Sequence, residues 1–70
     1  MTRRRRGDAS KPYRVEVRDG SPLALWRVLR RCRTDSHALA CLSRAAASAA
    51  PGSVLRVRGP DGMVAAREVG

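Results

Sequence analysis

Cys32, His37 and Cys41 are the residues whose types and spacing bear most directly on chemistry. Two soft sulfurs and an imidazole in Cys32-x4-His37-x3-Cys41 have the spacing of part of a small zinc site. A closed tetrahedral site takes four ligands, however, and the chain offers three soft ones, leaving Asp35 or a second chain to supply the fourth. The plainer reading is two packed thiols and a surface histidine, with no metal and no cofactor. His37 and Cys41 also stand at i,i+4 on one helix, where a base and a nucleophile can be neighbours. Only Asp35 is at hand to orient them, and there is no Gly-rich phosphate loop and no acid pair. The expectation is a non-enzymatic protein.

The stronger signal is cationic. Fourteen of the fifteen basic residues are arginine, against six acids, giving a net charge of +9 and a pI near 11.6. Such a balance favours adsorption to a polyanion by long-range attraction. A GC-rich genome also enriches Arg and Ala, and this chain has 14 and 11 of them with one Lys and no Phe. Codon bias does not account for the scarcity of acids, so the charge itself remains to be explained. Residues 1–12 carry net +4 and residues 13–70 net +5, so the excess lies in both parts.

Arg3, Arg4, Arg5 and Arg6 form an uninterrupted run in a segment, 1–12, without a large apolar residue beyond the first. Such a segment cannot offset its ordering entropy, and it reads as a flexible basic arm preceding a single domain at 13–70. Four adjacent guanidiniums can follow a phosphate backbone or enter a minor groove. Sequence-specific readout has little support, since the helix read at 35–50 offers only His37 and Arg44 toward base edges. Tyr13 and Trp26 are the chain's aromatics and both read as core, which leaves no stacking platform for single strands. No apolar stretch approaches the ~20 residues of a membrane span. Gly7-Asp8-Ala9-Ser10-Lys11-Pro12 after the arginines is not a signal-peptide core, so a cytoplasmic location with free thiols is expected.

Around these residues the pattern calls for an α+β domain. Tyr13 to Arg18 alternates strictly and predicts a strand ended by Asp19-Gly20. Residues 35–50 predict a helix, capped by Thr34 or Asp35, rich in alanine and stopped by Pro51-Gly52. Leu39, Leu42, Ala46 and Ala49 follow helical spacing toward the core. Residues 53–58 and 63–69 predict a hairpin around Gly59-Pro60-Asp61-Gly62, which fits a type I turn with a bulge glycine.

Ser21 to Arg33 admits two readings. Helical spacing gathers Leu25, Trp26, Val28, Leu29 and Cys32 on one arc, with Ser21 as cap and Pro22 in the first turn. A strand over 25–33 is favoured by the hairpin signal Asp19-Gly20 and by the helix start at Thr34-Asp35-Ser36. We adopt the strand, giving ββαββ. With 22–33 helical the order becomes βααββ and resembles a winged helix-turn-helix lacking its first helix, Gly59-Pro60-Asp61-Gly62 forming the wing tip. The pattern from Trp26 to Thr34, the Ala-rich helix and Pro60-Asp61-Gly62 is also similar to small proteins of high-GC actinobacteria and their phages. That resemblance implies no particular activity.

In the adopted fold Leu55, Val57, Val64 and Ala66 face the helix, and Arg56, Arg58, Met63, Ala65 and Arg67 face away. Arg14, Glu16 and Arg18 join the outward set, so Arg14, Arg18, Arg56, Arg58 and Arg67 make one basic sheet face beside the arm. A register shift of one residue would dismantle it. The function expected is nucleic-acid binding, DNA or RNA, mainly through phosphates and without strong sequence specificity. The alternative is a protein-interaction module, a homodimer or a phage-type modulator of a host complex. Such a module would use an exposed sheet edge and apolar residues such as Leu25, Leu29 and Met63.

Overall fold

The computed structural model describes residues 11–21 and 23–70. Four strands form one antiparallel sheet: β1 (Tyr13–Arg18), β2 (Arg27–Cys32), β3 (Val54–Gly59) and β4 (Gly62–Glu68). One helix, α1 (Asp35–Ser48), falls between β2 and β3 in the chain. The spatial order is β2-β1-β3-β4. Because β1 pairs antiparallel with both neighbours, β2 and β3 run the same way, and the chain between them must cross a face of the sheet. The helix is that crossover. The βααββ alternative is excluded, since 27–32 is a strand paired with β1.

Alternation decides the core. Val15 and Val17 of β1 lie opposite Val57 and Leu55 of β3, and with Cys32, Ala38 and Leu42 they form the buried cluster. Ala45 and Ala46 from the helix and Ala49 just past its end pack against it, where their small size permits close approach. Leu39 was expected inside but is 38% exposed, and Ala38 takes the buried position one residue earlier. Thr34 caps the helix, its hydroxyl accepting from the His37 N–H at 3.1 Å. The helix ends at Ser48 rather than Ala50, because Ala49 is already extended ahead of the Pro51-Gly52 stop. Gly52 then takes φ +91, a left-handed turn, and donates to the Val69 carbonyl at 2.7 Å. Val69 N–H returns a bond to Ser53 O at 2.8 Å, tying the end of the chain to the helix exit.

The link from β1 to β2 is not a tight hairpin. Asp19 Oδ1 accepts from Ser21 N–H at 3.0 Å, and Ser21 Oγ accepts from Leu23 N–H at 3.2 Å. These side chains satisfy backbone donors locally and prolong the loop, so β2 starts at Arg27 instead of Leu25. A second departure is a bulge in each outer strand. Val15 faces Arg30 but Glu16 faces Val28, leaving Leu29 as an extra residue in β2. Val57 faces Ala65 but Arg58 faces Met63, leaving Val64 extra in β4. Each bulge reverses the alternation beyond it.

Candidate functional site

The reversals rearrange the expected basic face. Cross-strand partners share a face, so pairing shows which side chains stand together. On the face away from the helix, Arg31, Arg14 and Arg58 lie directly in line across β2, β1 and β3. One row further on, Val28, Glu16, Arg56 and Ala66 are aligned. Arg18 and Val54 follow, opposite Glu68. Arg67 is a correction: the bulge at Val64 sets it opposite Leu55, on the helix side, where it borders Ala46 and Ala47. Ala66 goes outward and Ala65 inward for the same reason. Arg14, Arg18, Arg56 and Arg58 do share the open face, while Arg3, Arg4, Arg5 and Arg6 lie outside the described residues.

The two ends of this face differ in their electrostatics. At one end Trp26 lies under two guanidiniums, with Arg56 Cζ 3.7 Å and Arg18 Cζ 5.1 Å from the ring centroid. Arg56 Nε also donates to Glu16 Oε1 at 2.6 Å, and Glu16 is only 5% exposed. A buried carboxylate so engaged needs its cation, and the aromatic surface disposes of the guanidinium planes. Arg18 Nε is buried with no hydrogen-bond partner among the described residues, while its guanidinium lies over the ring.

At the other end Lys11, Arg14, Arg31 and Arg58 line an open cleft of about 450 Å³ with Pro12, Gly59, Pro60 and Gly62. Glu16 reaches toward it only weakly, its Oε2 3.8 Å from Arg14 Nε. The turn that closes the cleft relies on two glycines. Gly62 has φ +116, and a Cβ on Gly59 would stand 2.6 Å from the Tyr13 ring. Like charges directly opposite across strands are unfavourable. The row Arg31–Arg14–Arg58 gathers three guanidiniums in line at the cleft end of the face.

Arg31 and Lys11 are not among the residues the sequence singles out for binding, and Trp26, which reads as core, lies on the open face under two guanidiniums. The available signal was a break in alternation, the doublets Val28-Leu29 and Arg30-Arg31, which mark an inserted residue in a strand.

The soft donors converge elsewhere. Cys32 ends β2 facing the helix, and its Sγ lies 3.9 Å from Cys41 Sγ. The His37 ring joins them, the three ligand atoms lying within 4.8 Å of one another. Burial pushes the Cys32 thiol above its ordinary range, and the hydrogen bond and charge of Cys41 push it the same way. A thiol held protonated is a poor nucleophile. Among the described residues no helix is long and apolar enough to cross a membrane. Compared with protein-family models, with curated proteins and with solved structures, the chain matches none.

Proposed function

We propose that this chain is a small non-enzymatic protein that binds nucleic acid through its phosphates, without strong sequence specificity. The observation that carries the reading is the alignment of Arg14 and Arg58 beside Arg31, around a cleft that Lys11 also lines. Guanidiniums suit phosphate oxygens because their donors form a planar fork. Arg3 to Arg6 add four cations a short distance along the chain from Lys11. Arg18 and Arg56 contribute field rather than contact, being engaged by Trp26 and Glu16. Arg67 plays no part in this surface. The reading carries with it a cytoplasmic compartment, in which both thiols stay reduced.

Retention on duplex DNA and on single-stranded RNA, measured across a salt series, tests it. The logarithm of affinity should fall with the logarithm of salt, with a slope of about −0.9 per phosphate neutralised on duplex and about −0.7 on single strands. Equal affinity at low and moderate salt overturns the proposal. Deleting residues 2–6 at fixed salt apportions the work: loss of retention assigns it to the run, and persistence to the cleft.

One observation favours a second reading, a protein partner. Leu23 and Leu25 are 89% and 86% exposed, one residue apart in the loop before β2. Strand addition at β2 is opposed by Arg27, Arg30, Arg31 and the bulge at Leu29, all features that blunt an edge. A partner or second copy would therefore sit on the loop or along β4. Sedimentation of the chain alone, repeated with Leu23→Ser and Leu25→Ser, separates the readings. A dimer lost in these variants supports the second, and a monomer throughout removes the homodimer.

A further inference from the structure

We propose that Cys32, His37 and Cys41 bind one Zn²⁺ ion, with the fourth coordination position left to solvent. The inference does not rest on the nucleic-acid reading, since these residues lie on the helix side of the sheet. Geometry carries it. A tetrahedral ion with Zn–S bonds of about 2.3 Å holds its two sulfurs about 3.8 Å apart. The two Sγ atoms here are 3.9 Å apart, so the strand and the helix already hold them at that spacing. All three donor atoms lie within 4.8 Å of one another, and the His37 ring is exposed.

Rigid elements set the donors. Cys32 is fixed by its pairing with Tyr13 at the end of β2. The Thr34 cap starts the helix two residues later, which places His37 in the first turn. Cys41 follows one turn on, so both project from the same helix face. Cys32 is buried, Cys41 half-buried and His37 exposed, a gradient that gives an ion a route from solvent to the innermost sulfur. Core packing alone explains two adjacent thiols but gives no reason for an imidazole within reach of both.

Charge is consistent with a cation despite the basic chain. Two thiolates cancel the dication, so the occupied site adds no net charge beside Arg30 and Lys11, the cations whose field reaches Cys32. Three protein ligands and an open position are a recognised zinc arrangement, and imidazole with thiolate suits Zn²⁺ over harder ions such as Mg²⁺. The bound ion would tie the end of β2 to the first turns of α1. It would therefore stabilise the fold, since little of the site exists in the unfolded chain.

The experiment is anaerobic titration of the reduced full chain with Co²⁺, followed by Zn²⁺. The expected result is a thiolate-to-cobalt charge-transfer band with tetrahedral ligand-field bands. They should saturate at one ion per chain and be abolished by Zn²⁺. A hundredfold excess of Zn²⁺ over its dissociation constant should raise the thermal midpoint by on the order of 10 °C. Cys41→Ser should abolish the band. His37→Ala, at an exposed position that leaves the fold intact by circular dichroism, should weaken Co²⁺ binding by at least about tenfold and alter the ligand-field bands. Absence of a saturable band, saturation at one ion per two chains, or a His37→Ala titration identical to the parent overturns the proposal.

Discussion

The two ends of the open sheet face are built from the same residue type and do opposite things with it. Around Trp26, the guanidiniums of Arg56 and Arg18 lie over an indole, and Arg56 neutralises a buried Glu16. Beside the Gly59–Gly62 turn, Arg14 and Arg58 stand next to another arginine, around a cleft with polar walls. At the first end arginine is a packing residue whose charge is already answered. At the second, like charges are gathered by strand pairing around a cleft. A count of arginines therefore overstates a binding surface, because at the first end an acid and an aromatic already engage the guanidiniums.

The comparison can be pressed by substitution. Glu16→Ala leaves the Arg56 cation half-buried and unpaired, and should lower unfolding free energy in urea by about 3–5 kcal/mol. A loss below 1 kcal/mol would mean that the Trp26 end is not held by its ion pair. Trp26→Ala removes the platform under both guanidiniums and should lower it by about 2 kcal/mol, the ring being only partly buried. Thr34→Ala, away from both ends, should lower it by about 1 kcal/mol through loss of the helix cap and leave the salt slope of nucleic-acid binding unchanged. Arg14→Ala with Arg58→Ala should change stability least, by under about 0.5 kcal/mol, since it also relieves repulsion. The same pair should reduce the magnitude of the salt slope on duplex DNA by about 2. If instead the Arg14/Arg58 pair destabilises the fold and leaves the slope intact, the assignment of the two ends is reversed.

How much of this was legible in the sequence follows from the physics of each element. The helix at Asp35 announced itself through its cap, its alanines and its proline stop, because those signals are local. β1 and β3 were legible because they are central strands with strict alternation on a buried face. The outer strands were legible as strands, at 25–33 and 63–69, but the facing of their side chains was not, because Leu29 and Val64 each insert a residue, and a bulge depends on the partner strand's register, which lies elsewhere in the chain. That single effect moved Arg67 off the basic face and turned Val28 onto the open side. Trp26 was misassigned because hydrophobicity was taken to mean the helix side, whereas two arginines cover it on the open one. The cysteine–histidine spacing was visible, but its closeness in space required Cys32 to end a strand packed on the helix.

The central position of β1 has a consequence for how the protein is made. Arg14 and Arg58 are neighbours only across the β1–β3 pairing, and β3 follows the helix in the chain. A ribosome releasing the chain delivers β1 and β2 first, and the central strand must then wait for α1 and β3 before its second edge is covered. The arginine row therefore comes into being only when β3 pairs with β1, after the helix has been made. A polyanion that prefers this row over the extended chain would draw late-stage assembly forward by mass action, acting on the nascent protein much as a template does.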